Sequence, residues 1–421
     1  MSTSAAPPAQ FDLPEAADSR GLGQAVRDYG TRVKGGDLGA LPAVIGVVVL
    51  VAIFGVMEGE TFLSTANFAN LINQGAAIMV LAMGLVFVLL LGEIDLSAGF
   101  TAGTGATILA VTLTQQGWAW PLTLLVTLAT GAAIGFAIAV LVARLGIPSF
   151  VVTLAFFLAL QGAMLLIIGE GGTIPVREEA ILSVMNSNMP VVLGWLFALV
   201  AVGGFAGASL LAIRTRRKAG LPAEAMSVWA AKVIGLGALV LIAVFLLNQE
   251  RQRATANITI QGVPWVVPLI AALVFGLAFL LGRTPFGRHV YAVGGNAEAA
   301  RRAGIDVARV KTICFVIGST LAVVAGILLA SRDNSVSPTT GGTQTLLYAV
   351  GAAVIGGTSL FGGRGRIFDA VTGGLVVAVI ANGLPLVTQE SGTQFIINGI
   401  VLLVAASVDA ISRRRAAATG R

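Results

Sequence analysis

The stretch LAMGLVFVLLLGEIDLSAG, Leu81–Gly99, decides the class of fold. A continuous apolar run ends at Leu91, the polar residues Glu93, Asp95 and Ser97 follow at once, and a second apolar run then begins. A bilayer core about 30 Å thick takes roughly 20 helical residues to cross, and a run of that kind lies on each side of this turn. The runs are continuous, whereas a membrane β-barrel needs alternation. A segment in lipid must satisfy its own backbone groups, so helices follow. Asp95, just before Leu96 and Ser97, has the chemistry of a cap for the next helix.

The same pattern repeats along the chain. Twelve candidate spans are read at about 41–57, 71–91, 97–114, 121–143, 150–168, 191–213, 233–248, 264–281, 312–330, 346–361, 367–387 and 393–411. Three of them (41–57, 233–248 and 346–361) are short enough to be tilted, broken or re-entrant. Composition agrees: of 421 residues 56% are hydrophobic and 11% charged, with a mean hydropathy of +0.92. Soluble domains carry about 25% charged residues. The expected fold is therefore an all-α polytopic membrane protein.

Lys and Arg set the orientation, because they gather on the cytosolic side. With the N-terminus in the cytosol and twelve crossings, 22 of the 26 basic residues fall inside. Only Arg177, Arg251, Arg253 and Arg332 fall outside, on loops that include Gly169–Pro190 and Asn248–Pro264, the latter holding Asn257. Both termini are then cytosolic. The basic balance is thus a signal of topology, and nucleic-acid binding is not expected. The clusters RTRRK and SRRR suit anionic lipid at the cytosolic face. Residues 1–40 lack the basic start and apolar run of a signal peptide and read as a disordered cytosolic tail. Residues 41–411 form the transmembrane domain, with a cytosolic loop at 282–311, and residues 412–421 form a basic tail.

One cysteine, Cys314, and one histidine, His289, leave no material for a disulfide framework or a multi-ligand metal site. A phosphate-binding Walker loop needs Gly-Lys followed by Ser or Thr. The lysines here follow Val33, Arg217, Ala231 and Val310, so the chain is not expected to bind or hydrolyse ATP by itself. No catalytic residue, metal or cofactor is expected.

The long cytosolic loop holds GRHVYAVGGNAEAARRAGIDVARVK, Gly287–Lys311. Its centre reads as a short helix. Asn296 is a good N-cap, Glu298 in the first turn and Arg301 and Arg302 in the last suit the dipole, and Gly304 fits the left-handed position after it. Ala297, Ala299, Ala300 and Ala303 leave a thin surface. A helix of about seven residues does not hold alone, so it is either an ordinary connector or a docking element.

This segment resembles the coupling loop of ABC-transporter permeases of the simple-sugar uptake class. The family pattern falls on Gly287, Ala292, Gly294 or Gly295, Asn296, Ala299, Ala300, Gly304 and Ile305. The Leu81–Gly99 stretch resembles the family's Gly-Gly-Ile-Asp-Leu-Ser signature, on Gly92, Ile94, Asp95, Leu96, Ser97 and Gly99. Ile147–Val176 resembles the span that begins Pro-Ser-Phe. The run AAVIGGTSLFGGRGRIFDAVTGG resembles the late glycine signature, on Gly356, Gly357, Thr358, Ser359, Leu360, Gly362, Gly363 and Gly365. The four motifs occur in order across most of 41–411. Two features depart from the usual pattern. Glu93 stands where the family has a second glycine, and an extra pair of spans lies between about 191 and 248, as in xylose-type permeases.

The resemblance implies an importer-type permease bundle in the cytoplasmic membrane of a prokaryote. It implies a cytosolic ATPase pair docked on Gly287, Gly295, Asn296, Glu298, Ala299, Ala300 and Gly304. It also implies an extracytoplasmic sugar-binding protein and a second copy of the permease. The structural signature residues are Asp95, Ser97, Gly356, Gly357, Thr358 and Ser359. Sugars offer hydroxyls, so Asn73, Gln74, Thr153, Gln161 and Asn382, polar residues within spans, either line the path or bridge helices. The competing class is a secondary transporter driven by an ion gradient, for which Glu93, Asp95 and Asp369 are the available acids. An integral-membrane enzyme would need clustered His, Asp or Glu.

Overall fold

The computed structural model describes residues 41–221, 223–251 and 260–401, together with Gly23, Arg27, Gly30, Leu403 and Ser407. The expected tails at 1–40 and 412–421, most of the far end of the last span, and Asn257 lie outside the described residues.

The chain is helical nearly throughout. In order, α1 is Leu41–Met57, α2 Gly59–Phe62, α3 Thr65–Leu90 and α4 Ala98–Ala110, which continues as a π-turn over Val111–Gln115. α5 is Trp120–Ala139, continued by a second π-turn over Val140–Arg144, and α6 is Ser149–Ile168. β1 (Ile174–Pro175), α7 (Glu179–Asn186), α8 (Val191–Lys218), α9 (Met226–Asn248) and α10 (Val266–Arg283) follow. The remainder is α11 (Pro285–Gly295), α12 (Ala297–Arg302), α13 (Val307–Asp333), β2 (Ser335–Val336), α14 (Gly342–Gly356) and α15 (Ile367–Val387). Residues 391–401 are also helical.

Among the described residues, eight helices are long and apolar enough to span a bilayer: α3, α5 with its π-turn, α6, α8, α9, α10, α13 and α15. α1 and α14 are apolar but shorter. Ten of the expected spans fall on these helices with shifted ends; those at 97–114 and 393–411 fall on α4 and on residues 391–401, which are not among the ten. The span expected to be short at 233–248 starts at Met226 and is full length. The span expected at 346–361 ends at Gly356, which leaves Thr358 and Ser359 in a loop. Gly357 stops it in the left-handed conformation, φ 119°.

Two compact units result. One holds the α8–α9 hairpin, Val192–Leu246, the same added pair of spans that the sequence sets apart. Within it, Trp229 Nε1 donates to Ser209 Oγ at 2.9 Å, and Lys232 pairs with Glu224 across the turn.

The other unit carries the remaining helices. At its centre are α3 and α13, whose most apolar stretches are 83% and 72% buried, against 17% for α6 and α10. Small residues allow this. On α5, Thr123, Thr127, Gly131 and Gly135 recur every four residues on one buried face. Lipid tails are as apolar as leucine, so membrane helices associate through close backbone packing rather than burial from water. A Cβ on Gly135 would stand 2.5 Å from Phe315 O on α13, and one on Gly131 2.9 Å from Ser319 O.

Connections gather in two groups. At one end β1 pairs antiparallel with β2, Ile174 opposite Val336, and Asn186 Nδ2 donates to Ser331 O at 2.8 Å. Asn67 and Asn382 exchange two hydrogen bonds there, 2.7 and 2.9 Å. The other group joins the segments around residues 90–97, 144–149, 284–311 and 357–369 and is described below.

Gly135→Ala should destabilise the detergent-solubilised protein by about 1–3 kcal/mol, because the neighbour it meets is backbone. Gly207→Ala, on a helix face with nothing within 4 Å, should be neutral or slightly stabilising. Thermal unfolding of the two variants checks both.

Candidate functional site

At the second group, four polar connections are tied to the buried helices. α3 ends at Leu90, and Leu90 O accepts the Gly363 amide at 2.9 Å. Gly294, near the end of α11, lies over the same carbonyl: a Cβ there would stand 1.8 Å from Leu90 O and 2.8 Å from Gly363 N. Three chain segments therefore meet backbone to backbone, and only glycine fits at 294. The sequence left Gly294 and Gly295 as alternatives. Gly295 is exposed with nothing within 4 Å, so the close approach belongs to Gly294. Tyr291 adds a further tie, its hydroxyl donating to Gly365 O at 2.8 Å. Burial, then the nearby Asp369 charge, raises the Tyr291 pKa above its ordinary value, with Arg366 opposing. The phenol therefore stays a donor.

The short segments are built by caps. Thr284 Oγ1 accepts the Gly287 amide at 3.3 Å, and Pro285 occupies the first turn of α11. A Cβ on Gly287 would stand 1.9 Å from Leu281 O, so the turn between α10 and α11 also needs glycine. Asn296 Oδ1 accepts the Ala299 amide at 2.9 Å and opens α12. Glu298 meets both Arg301 (2.9 Å) and Arg302 (3.2 Å). These exposed pairs contribute little. Gly304 takes φ 84° after the helix. Asp306 Oδ1 accepts the Arg309 amide at 2.9 Å and opens α13.

The face of α12 differs from the expectation. Ala300 is buried against its own chain, and Ala297 is half buried in the same core. Glu298, Ala299, Arg302 and Ala303 point outward. Ala300 therefore packs toward its own chain and anchors the helix. Six residues carry too short a periodicity for a sequence to tell the anchored side from the free one.

The signature acids are held in place. Asp95 Oδ1 accepts from Ser97 N (2.9 Å) and Ser97 Oγ (2.5 Å), closing a turn ahead of α4. Asp95 thus caps through Ser97, which is itself the residue at the helix boundary. Asp369 accepts the Arg366 amide at 2.7 Å, with Thr358 Oγ1 at 3.4 Å, opening α15. A Cβ on Gly356 would stand 1.8 Å from Asp369 O. Glu93 forms an ion pair with Lys311 on α13, their side chains 16% and 21% exposed. Sequence reasoning missed this pair. The signal was present: an acid in place of glycine beside an apolar span needs a counter-charge.

The expected path residues divide. Thr153 Oγ1 donates to Ser149 O at 2.9 Å and lies 3.2 Å from Ile94 O, and Asn382 is paired with Asn67. Both bridge backbone or helices. Asn73 Oδ1 and Gln74 Oε1, on α3, are buried without a hydrogen-bond partner. Gln161 is half buried on α6.

Spanning helices around a buried centre, with polar connections tied at one end, define a multi-pass helical membrane protein. Residues 67–406 match the family described as branched-chain amino acid transport system, permease component, and the chain belongs to that family. It is 35% identical over 372 residues to the xylose transport system permease protein XylH of Escherichia coli (strain K12), covering 88% of this chain and 92% of that protein. The XylH protein of Haemophilus influenzae is 34% identical, covering 88% and 96%. The ribose import permease protein RbsC of E. coli (strain K12) is 28% identical, covering 87% and 92%. No solved structure matches the chain. The relatives are permease proteins of sugar transport systems, and this chain is a multi-pass protein of the cytoplasmic membrane.

Removing one partner of the Glu93–Lys311 pair leaves a part-buried charge alone. Glu93→Gln and Lys311→Met should each cost on the order of 1–2 kcal/mol, less than for a fully buried pair. The double variant should lose less than their sum, which a double-mutant cycle in thermal unfolding reads directly.

Proposed function

We propose that this chain is the transmembrane permease subunit of an ATP-driven sugar importer whose cargo is xylose or a similar pentose. The observation that carries the reading is 35% identity to a xylose permease over 88% of the chain. The added α8–α9 pair, a feature of the xylose-type resemblance, favours the same sugar.

The bundle crosses the membrane twelve times with both termini in the cytosol. The loop at 282–311 is cytosolic and takes the ATPase. α12 presents Glu298, Ala299 and Arg302 to a groove on that partner, while Gly294 ties the loop to α3 and to the 357–366 turn and Ala300 packs α12 into its own chain. Closure of the ATPase pair on ATP moves the loop, and the tie passes the motion to the central helices. Two permease copies flank one path, fed by an extracytoplasmic sugar-binding protein. Asn73 and Gln74 are the residues best suited to meet sugar hydroxyls, because their oxygens lack a protein partner. The permease supplies a route and a lever, with no covalent step of its own.

In a Cys314→Ser background, Glu170→Cys should react with an impermeant maleimide in intact cells and Asn296→Cys should not. The reverse pattern would invert the orientation and remove α12 from the ATPase. In reconstituted vesicles, xylose uptake should require the ATPase and ATP, and should survive a protonophore. Uptake driven by a proton gradient alone would support the ion-coupled class. Ala299→Arg should insert normally and keep the parent's thermal stability, since arginine is a good helix former. It should weaken ATPase co-purification about tenfold or more, through overpacking of a tight groove.

A further inference from the structure

A cavity of about 370 Å³ lies where α5 ends and α13 begins, lined by Arg144, Asp306, Ala308, Arg309, Thr312 and Ile313. Some basic side chains in these connections have acid partners. Arg301 and Arg302 share Glu298, Lys311 holds Glu93, and Arg366 lies 3.6 Å from Asp369. Arg144 and Arg309, on separate helices, form no ion pair or side-chain hydrogen bond among the described residues, yet both face the same cavity. The one acid lining it, Asp306, already accepts the Arg309 amide. Two guanidiniums face a single carboxylate on this concavity, and the surplus positive charge matches a phosphate, whose oxygens accept several N–H donors at once.

The surroundings select the source of that phosphate. Arg144 is the last residue of a spanning helix, so the cavity sits where apolar membrane gives way to headgroups. The adjoining surface is apolar and uncovered: Leu145 is 66% and Phe150 53% exposed. Only 33% of the α5 span and 17% of the α6 span are buried. A free phosphate ester has no use for that surface, whereas acyl chains do.

We infer that this cavity binds the phosphodiester headgroup of an anionic phospholipid through Arg144 and Arg309, with its chains against the exposed apolar side chains beside it. The inference needs only that the chain spans a membrane, and does not depend on the sugar or on which side the cavity faces.

The test uses the full chain in nanodiscs of phosphatidylcholine with a minor share of phosphatidylglycerol, released and examined by native mass spectrometry. One phosphatidylglycerol per chain should be retained over phosphatidylcholine. Arg144→Gln/Arg309→Gln should lower that retention roughly tenfold, and Arg332→Gln, at the other group of connections, should leave it unchanged. Equal retention in the double variant overturns the site. If inorganic phosphate or glycerol phosphate displaces the lipid and protects the fold equally well, the cavity is a soluble-phosphate site and the lipid assignment is overturned. If the double variant keeps its lipid but loses ATPase, the arginines serve that partner and the inference also fails. Thermal unfolding in phosphatidylcholine alone separates loss of the site from loss of the fold.

Discussion

Leu90 O is the acceptor on which the site depends. It takes the Gly363 amide at 2.9 Å, and Gly294 packs so closely that a Cβ would stand 1.8 Å from it. The last carbonyls of a helix have no partner within it, and a span that ends among other helices has little water to supply one. The α3 terminus is satisfied by backbone from elsewhere in the chain. That bond pins the 357–366 turn, and the contact with Gly294 pins α11. α12, α13 and α15 then start from fixed points, each opened by its own cap at Asn296, Asp306 and Asp369. A six-residue helix that would not hold alone becomes a rigid projection, because Ala300 is buried beneath it.

The charges follow from the same arrangement. Glu93 lies immediately beyond the end of α3, where the low-dielectric interior begins, and Lys311 is brought to it by the first turns of α13. Asp95 and Asp369 are used up as helix-opening acceptors. Each of the three acids nearest membrane depth thus has a partner within the chain.

Much of the fold is legible in the sequence because a bilayer imposes simple rules. Continuous apolar runs must be helices, and their approximate number and places follow from length. Caps are legible as well, since Asn296, Gly304 and Asp306 act within a few residues of themselves. Properties that depend on the far side of a contact are not legible. Ala299 and Ala300 are chemically identical, but one is free and the other buried. Gly294 and Gly295 differ only in what lies above them. Thr153 and Asn382 are legible only as polar residues within spans, and their partners Ser149 and Asn67 are not, the second being 315 residues away. The Glu93–Lys311 pair spans 218 residues and was announced only by an acid in an unusual place.

We propose that the loop after α10 moves the bundle through its backbone tie to α3. The most direct measurement is the number of sugar molecules moved per ATP hydrolysed in the reconstituted complex, for Gly294→Ala and Gly295→Ala. Gly295 has open space around it and its variant should match the parent. Gly294→Ala should still bind the ATPase, because the outward face of α12 is untouched, yet move markedly less sugar per ATP. A Gly294→Ala complex that assembles and transports with the parent's ratio would contradict the account.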